Sequence, residues 1–183
     1  MNKNKIYKFL LLALLGAVVA TLCDAHHVVF FDQAWWVFPG FFIAFYGMNV
    51  GYELLLKICR GRMTIVQSRS HGSAELMNES MVLFVAIYLI SGFGNEYPVY
   101  LAWLFYGTFA LRLLTTYERG FALMLASALA IGGMFVEGLL AEIGEVSYRH
   151  QDVFNVPFWL GGLYMHEALA LRESMRAMVY IKR

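Results

Sequence analysis

Six long apolar runs, separated by short polar connections, account for nearly the whole chain: residues 6–23, 34–58, 76–93, 97–116, 121–140 and 154–171. About 20 largely apolar residues in helical form cross roughly 30 Å of hydrocarbon. Each run qualifies, and none alternates apolar with polar positions as the strands of a membrane barrel do. The pattern predicts an all-α, polytopic membrane protein in which residues 1–183 form a single domain of six transmembrane helices.

Charge predicts the orientation. With the N-terminus inside, thirteen of the fourteen Lys and Arg residues fall on the cytoplasmic side and only Arg149 falls outside. That is the positive-inside asymmetry expected of an even number of spans with both termini cytoplasmic. Composition agrees, with 60% hydrophobic and 15% charged residues against roughly half and a quarter in soluble domains. A formal charge of +1 and this apolar content exclude disorder, a disulfide-stapled secreted scaffold and charge-driven nucleic-acid binding.

Lys3, Lys5 and Lys8 ahead of an apolar run that closes on Cys23-Asp24-Ala25 also fit a cleavable signal peptide. Cys23 and Cys59 fall near opposite membrane faces, which geometry excludes from a disulfide. Cys59, among Lys57, Arg60 and Arg62, has the setting of a palmitoylated thiol; an idle thiol is the plainer reading. An offset of 118 residues lays Asp24 on Glu142, Gln33 on Gln151, Trp36 on Phe154 and Pro39 on Pro157. Two readings stand: a parallel internal repeat that retains span 1 and places a site between halves, or convergence on residues that membrane interfaces favour.

Ionisable residues within spans face the bundle interior or a hydrated cavity. One polar layer comprises Glu53, Glu75, Arg112 and His166, with Glu79 and Glu167 beside it. Asn49 and Glu53, and likewise Glu75 and Glu79, are four residues apart and share a helix face. The layer reads as a structural ion-pair network or as the polar end of a ligand cavity. At the other face lie Asp24, Asp32, Glu96, Glu137, Glu142, Glu145 and Asp152 with His26, His27 and His150. No HxxxH or HExxH spacing occurs, so no metal and no cofactor are expected. No nucleophile beside a base and no phosphate-cradling glycine loop is present, which favours a non-enzyme.

The start of span 2 carries a resemblance. Ala34-Trp35-Trp36-Val37-Phe38-Pro39 resembles the Ala-Trp-Trp-Val-Pro-Pro signature of the Insig family. Three further stretches follow in order: His71-Gly72-Ser73-Ala74-Glu75-Leu76, Thr116-Tyr117-Glu118-Arg119 with Gly120, and Gly144, Tyr148 and Asp152 ahead of Pro157. The resemblance implies six spans with cytoplasmic termini and a non-catalytic lipid sensor. Its ligand is an oxysterol in eukaryotic members and a diacylglycerol-type lipid in prokaryotic ones. It carries Trp35 and Trp36, and by motif proximity Tyr148, over as ligand contacts. Leu76-Met77-Asn78 stands where the family has Leu-Asp-Phe, which points to a short, simpler lipid-binding relative rather than a sterol-dependent escort regulator.

The resulting expectation is a lipid held between helices, with Trp35, Trp36 and Tyr148 at the rim and Gln33 and Glu142 as polar anchors. The small residues Gly40, Ala44 and Gly47 permit close helix approach below that rim. The expected partners are a membrane lipid and a membrane-protein partner or further copies of the chain, in a bacterial inner membrane or the endoplasmic reticulum. Two alternatives belong to other classes. One is a membrane enzyme acting on a lipid or isoprenoid, with Glu137, Glu142 or His166 as acid/base groups. The other is a small proton-coupled transporter running through Glu53, Glu75, Arg112 and His166.

Overall fold

The computed structural model describes residues 3–25, 34–59 and 72–180. Six α-helices follow one another: α1 (Lys3–Ala25), α2 (Val37–Cys59), α3 (Ala74–Gly94), α4 (Pro98–Thr115), α5 (Arg119–Glu142) and α6 (Trp159–Ser174). A π-helix, Met175–Tyr180, continues α6 directly. Four helices, Lys3–Asp24, Val37–Cys59, Ala74–Gly94 and Arg119–Glu142, are long and apolar enough to cross a membrane. α4, which carries Arg112, and α6, which carries His166, Glu167, Arg172 and Glu173, are the other two.

The polar content of α6 has a packing explanation. Fourteen of its sixteen residues are buried, because α3, α4 and α5 surround it. A helix shielded by neighbours on nearly every side presents little surface to lipid and tolerates charge that a peripheral helix does not. The outer helices show the complementary pattern, with Ile43, Val82, Trp103, Leu111 and Ile131 each more than 60% exposed.

The helix ends define two ends of the bundle. The near end gathers the starts of α1, α3 and α5, the last residues of α2, and the π-helix: Lys5 and Glu53 meet Tyr180, Glu118 meets Arg176 and Gly72 abuts the Arg176 backbone. At the far end, Arg149 of the α5–α6 connection pairs with Glu96 of the α3–α4 turn at 2.8 Å. Two apolar cores follow this division. Phe9, Leu12, Tyr52, Phe109, Phe121, Leu125 and Met175 pack at the near end; Phe84, Ile87, Leu101, Phe105, Met134, Trp159 and Leu163 pack toward the far end.

Boundaries follow from local chemistry. The Ser73 hydroxyl accepts from the Leu76 N–H at 3.1 Å and caps α3, and Pro98 opens α4 where its missing N–H has no cost. The sixth helix starts at Trp159, later than residue 154, where the last apolar run begins. Phe154 and Asn155 both take positive φ, 54° and 61°, in a tight turn, and the Asp152 carboxylate accepts the Phe158 N–H at 2.9 Å. That turn sits so close to α5 that any side chain at Gly138 would collide with the Phe154 carbonyl.

α1 and α2 pair along their length, with Gly16 making room for the Phe45 ring and the Asn49 amide donating to the Phe9 carbonyl at 3.1 Å. The attachment of α2 to the remaining helices is uneven. Its buried residues, Asn49, Tyr52 and Cys59, all lie in the near-end half. None of residues 37–48 is buried.

Candidate functional site

The far half of the molecule combines a loosely attached helix with a cluster of acceptors and phenols. Met48, Ala44 and Phe41 lie one, two and three turns back from Tyr52 on the same face of α2. Tyr52 packs edge-on against Phe121 of α5 at 5.5 Å, whereas Phe41 and Met48 are half-buried and Ala44 is exposed. Burial along this face therefore falls from Tyr52 toward the far end, with Met48 still packed against the near-end core and Ala44 exposed.

Near that end, Glu137 of α5 accepts from the Tyr148 hydroxyl at 2.9 Å and from the Tyr164 hydroxyl at 3.0 Å. Asp24, Tyr88 and Glu167 lie within electrostatic reach of the same carboxylate. Burial, with the Glu137 carboxylate beside it, pushes the Tyr148 hydroxyl above its ordinary range, so this phenol stays a donor. The cluster joins α5, α6 and the connection between them.

Placement of the expected site residues is mixed. Trp35 is 86% exposed. Trp36 is half-buried, its ring lies over Gly40, and its carbonyl accepts the Gly40 N–H at 2.7 Å. Tyr148 is half-buried with its hydroxyl on Glu137, while Glu142, expected as an anchor, is exposed at the end of α5. Gln33, His26 and His27 lie outside the described residues.

The expected polar layer divides into separate groups. Arg112 and His166 meet: an Arg112 N–H donates to His166 Nδ1 at 3.1 Å, and its other terminal nitrogen donates to Ser80 at 3.0 Å. With Nδ1 accepting, Nε2 carries the proton and donates to the Phe105 carbonyl at 3.0 Å; the Thr108 hydroxyl is 3.1 Å away. Both ring nitrogens are thereby engaged by protein groups. Glu53 stands apart, paired with Lys5 at 2.7 Å and bonded by the Tyr180 hydroxyl. Glu75 is not buried: it is exposed in the first turn of α3, where a carboxylate is favoured by the helix dipole.

A near-end quartet escaped the sequence reading. Arg172 pairs with Glu173 at 2.8 Å and Glu118 at 3.4 Å, and Arg176 pairs with Glu118 at 3.1 Å and Glu173 at 3.5 Å. All four side chains are 9% exposed or less, and Arg172 also donates to the Tyr117 carbonyl at 2.6 Å. Its signals in the sequence were the density of charge at the end of the last apolar run and the place of Glu118 in the Thr116–Arg119 motif. Among the described residues, no group of three or more His, Cys, Asp or Glu is placed to hold a metal ion.

These features define an all-helical membrane bundle with a charged axial helix and a second helix, α2, whose buried residues all lie toward one end. The fold is that of a prokaryotic Insig homologue. The crystal structure of MvINS, the Insig homologue of Mycobacterium vanbaalenii, matches at a TM-score of 0.79 and 20% identity over 97% of both chains. A crystal structure of a cross-linked, cysteine-substituted MvINS trimer matches equally well. No family model and no curated protein matches the chain.

Proposed function

We propose that the protein is an Insig-like, non-catalytic lipid-binding sensor or regulator. It holds one sterol- or diacylglycerol-type lipid between the α1–α2 hairpin and the other helices. The carrying observation is the one-ended attachment of α2, with no buried residue between positions 37 and 48. In this reading an acyl chain or ring system fills a wedge between the far half of α2 and the other helices, and sites between helices of a bundle are a common place for such ligands. Trp36 forms the rim. Tyr148 and Glu137 anchor the head group, where hydrogen bonds in a dry site are strengthened. A lipid hydroxyl donating to the carboxylate Tyr148 already occupies, or accepting from the phenol, is the chemistry this pair recognises.

The engagement of both His166 nitrogens favours this reading over acid/base catalysis, and the separation of Glu53 from Arg112 and His166 favours it over a continuous proton path. In this account six helices span the membrane, α4 and α6 among them, with the near end cytoplasmic. Lys5, Lys8, Lys57, Arg119, Arg172 and Arg176 at the near end, against Arg149 at the far end, support that orientation. The cross-linked MvINS trimer is a precedent for self-association of this chain through its own copies.

The wedge is tested by filling it from the α2 wall. Ala44→Trp lowers retention of a tritiated diacylglycerol about tenfold, whereas Ile43→Trp, on the face that is 71% exposed, leaves it within about twofold. Equal retention in all three proteins would place the lipid elsewhere.

A further inference from the structure

A concavity with two lysines in its lining lies at the near end, remote from the far half of α2. Asn4, Lys5 and Lys8 of α1 and Val179 and Tyr180 of the π-helix line a groove of about 240 Å³. This is smaller than the roughly 300–1,000 Å³ of sites that bury a whole drug-sized ligand, and it suits a head group. Lys5 and Lys8 are three residues apart and share a face of α1. Both ammonium groups reach the π-helix: Lys5 lies 3.4 Å from the Tyr180 hydroxyl and 5.0 Å from its ring centre, and Lys8 lies 3.4 Å from the Val179 carbonyl.

The charge in this groove is unbalanced. Glu53 is its nearby acid, and that carboxylate is taken up by Lys5 at 2.7 Å and by the Tyr180 hydroxyl, with Lys57 at 3.9 Å as a third partner. Among the described residues no carboxylate pairs with Lys8; its one acceptor is a carbonyl at long range. An ammonium has three donors, so Lys8 keeps two for a ligand. Lysine binds phosphate as a point charge, and basic pockets between helix ends at a membrane face take phospholipid head groups.

We propose that this groove binds the phosphate of an anionic membrane lipid, with Lys8 as the principal contact and Lys5 and Asn4 as supporting donors. The π-helix is then the element that builds the site: it brings the Val179 carbonyl and the Tyr180 ring against α1 and leaves the gap between them. The occupant is an intact lipid whose chains lie along α1, whose Tyr7 and Leu10 are 66% and 41% exposed.

The test uses the full chain reconstituted in phosphatidylcholine nanodiscs with or without phosphatidic acid. Photoactivatable phosphatidic acid is expected to label the peptides containing Asn4–Lys8 and Val179–Tyr180. Lys8→Gln lowers that labelling about tenfold, Lys8→Arg restores most of it, and Lys57→Gln, which removes the same charge from a side chain 66% exposed, changes it less than about twofold. Equal losses in Lys8→Gln and Lys57→Gln would reduce the effect to diffuse surface charge and overturn the site. Displacement of the lipid by millimolar inorganic phosphate would assign the groove to free phosphate and overturn the lipid assignment. If Lys8→Gln fails to fold, unlabelled Asn4–Lys8 peptides in the wild-type protein overturn the proposal by themselves.

Discussion

At Gly138 of α5 a β-carbon would run into the backbone carbonyl of Phe154, whereas at Gly132, on the same helix, it would meet nothing within 4 Å. Gly138→Ala is therefore expected to destabilise the protein by about 1–3 kcal/mol through overpacking against backbone that cannot swing aside. Gly132→Ala is expected to change stability by less than about 1 kcal/mol, in the stabilising direction, through helix propensity. Thermal unfolding in a fixed detergent separates the two; equal midpoints would mean that the Phe154 turn is not packed on α5 as described. The buried quartet makes a second prediction at this scale. Glu118→Gln keeps the shape of the side chain but leaves Arg172 and Arg176 sharing one carboxylate, and removing one partner of a buried charge network costs about 3–5 kcal/mol. A double cycle with Glu173→Gln should be strongly non-additive, because both acids serve the same two arginines.

The residues that carried the family resemblance are chiefly those that end and join helices. Gly144, at φ 81°, lets the chain leave α5; Tyr148 pins the connection to Glu137; Asp152 caps the turn into α6. Thr116 donates back to the Arg112 carbonyl at 2.8 Å, and Glu118 combines a left-handed backbone with two arginine partners. Each has a structural role that local spacing does not announce, so the six helices were legible in the apolar pattern while the meaning of these motifs was not. The start of α6 was misplaced for a related reason. Phe154 and Pro157 read as part of an apolar run, and the turn they occupy depends on contact with α5, which is distant in sequence.

Helix α6 is the element whose composition sits least easily with a membrane, and burial resolves it. Cysteine scanning should find Leu163 and Ala168, 4% and 0% exposed, unreactive to maleimides in the folded protein, while Leu54 and Val82, 58% and 69% exposed, react with a membrane-permeant reagent. Reactivity at Ala168 matching that at Leu54 would show that α6 is not the axis of the bundle. The polar layer expected from sequence failed at this scale too. Helical spacing identifies which residues share one helix face, but Glu53, Glu75 and His166 occupy three different helices. Only the order of helices around α6 decides that His166 meets Arg112 and that Glu53 meets Tyr180.

Across the whole molecule, α3, α4 and α5 pack around α6, α1 buries residues along its length, and α2 buries residues only toward the near end. Lys5, Glu53 and Tyr180 and the Tyr52–Phe121 contact hold α2 at the near end, and in the proposed reading its far half accommodates the lipid. Binding there contributes RT ln(1 + [L]/Kd) to stability, so a lipid supplied at 100 times its dissociation constant raises the unfolding free energy by about 2.7 kcal/mol. Mass spectrometry of the lipids retained by the purified protein, wild type against Trp36→Ala, tests the central claim most directly. The account predicts one dominant species of sterol or diacylglycerol type in the wild type, depleted about tenfold in a variant that unfolds at the same temperature. A mixture matching the bulk membrane, unchanged by the substitution, would contradict it and leave Trp36 as part of an interfacial aromatic belt.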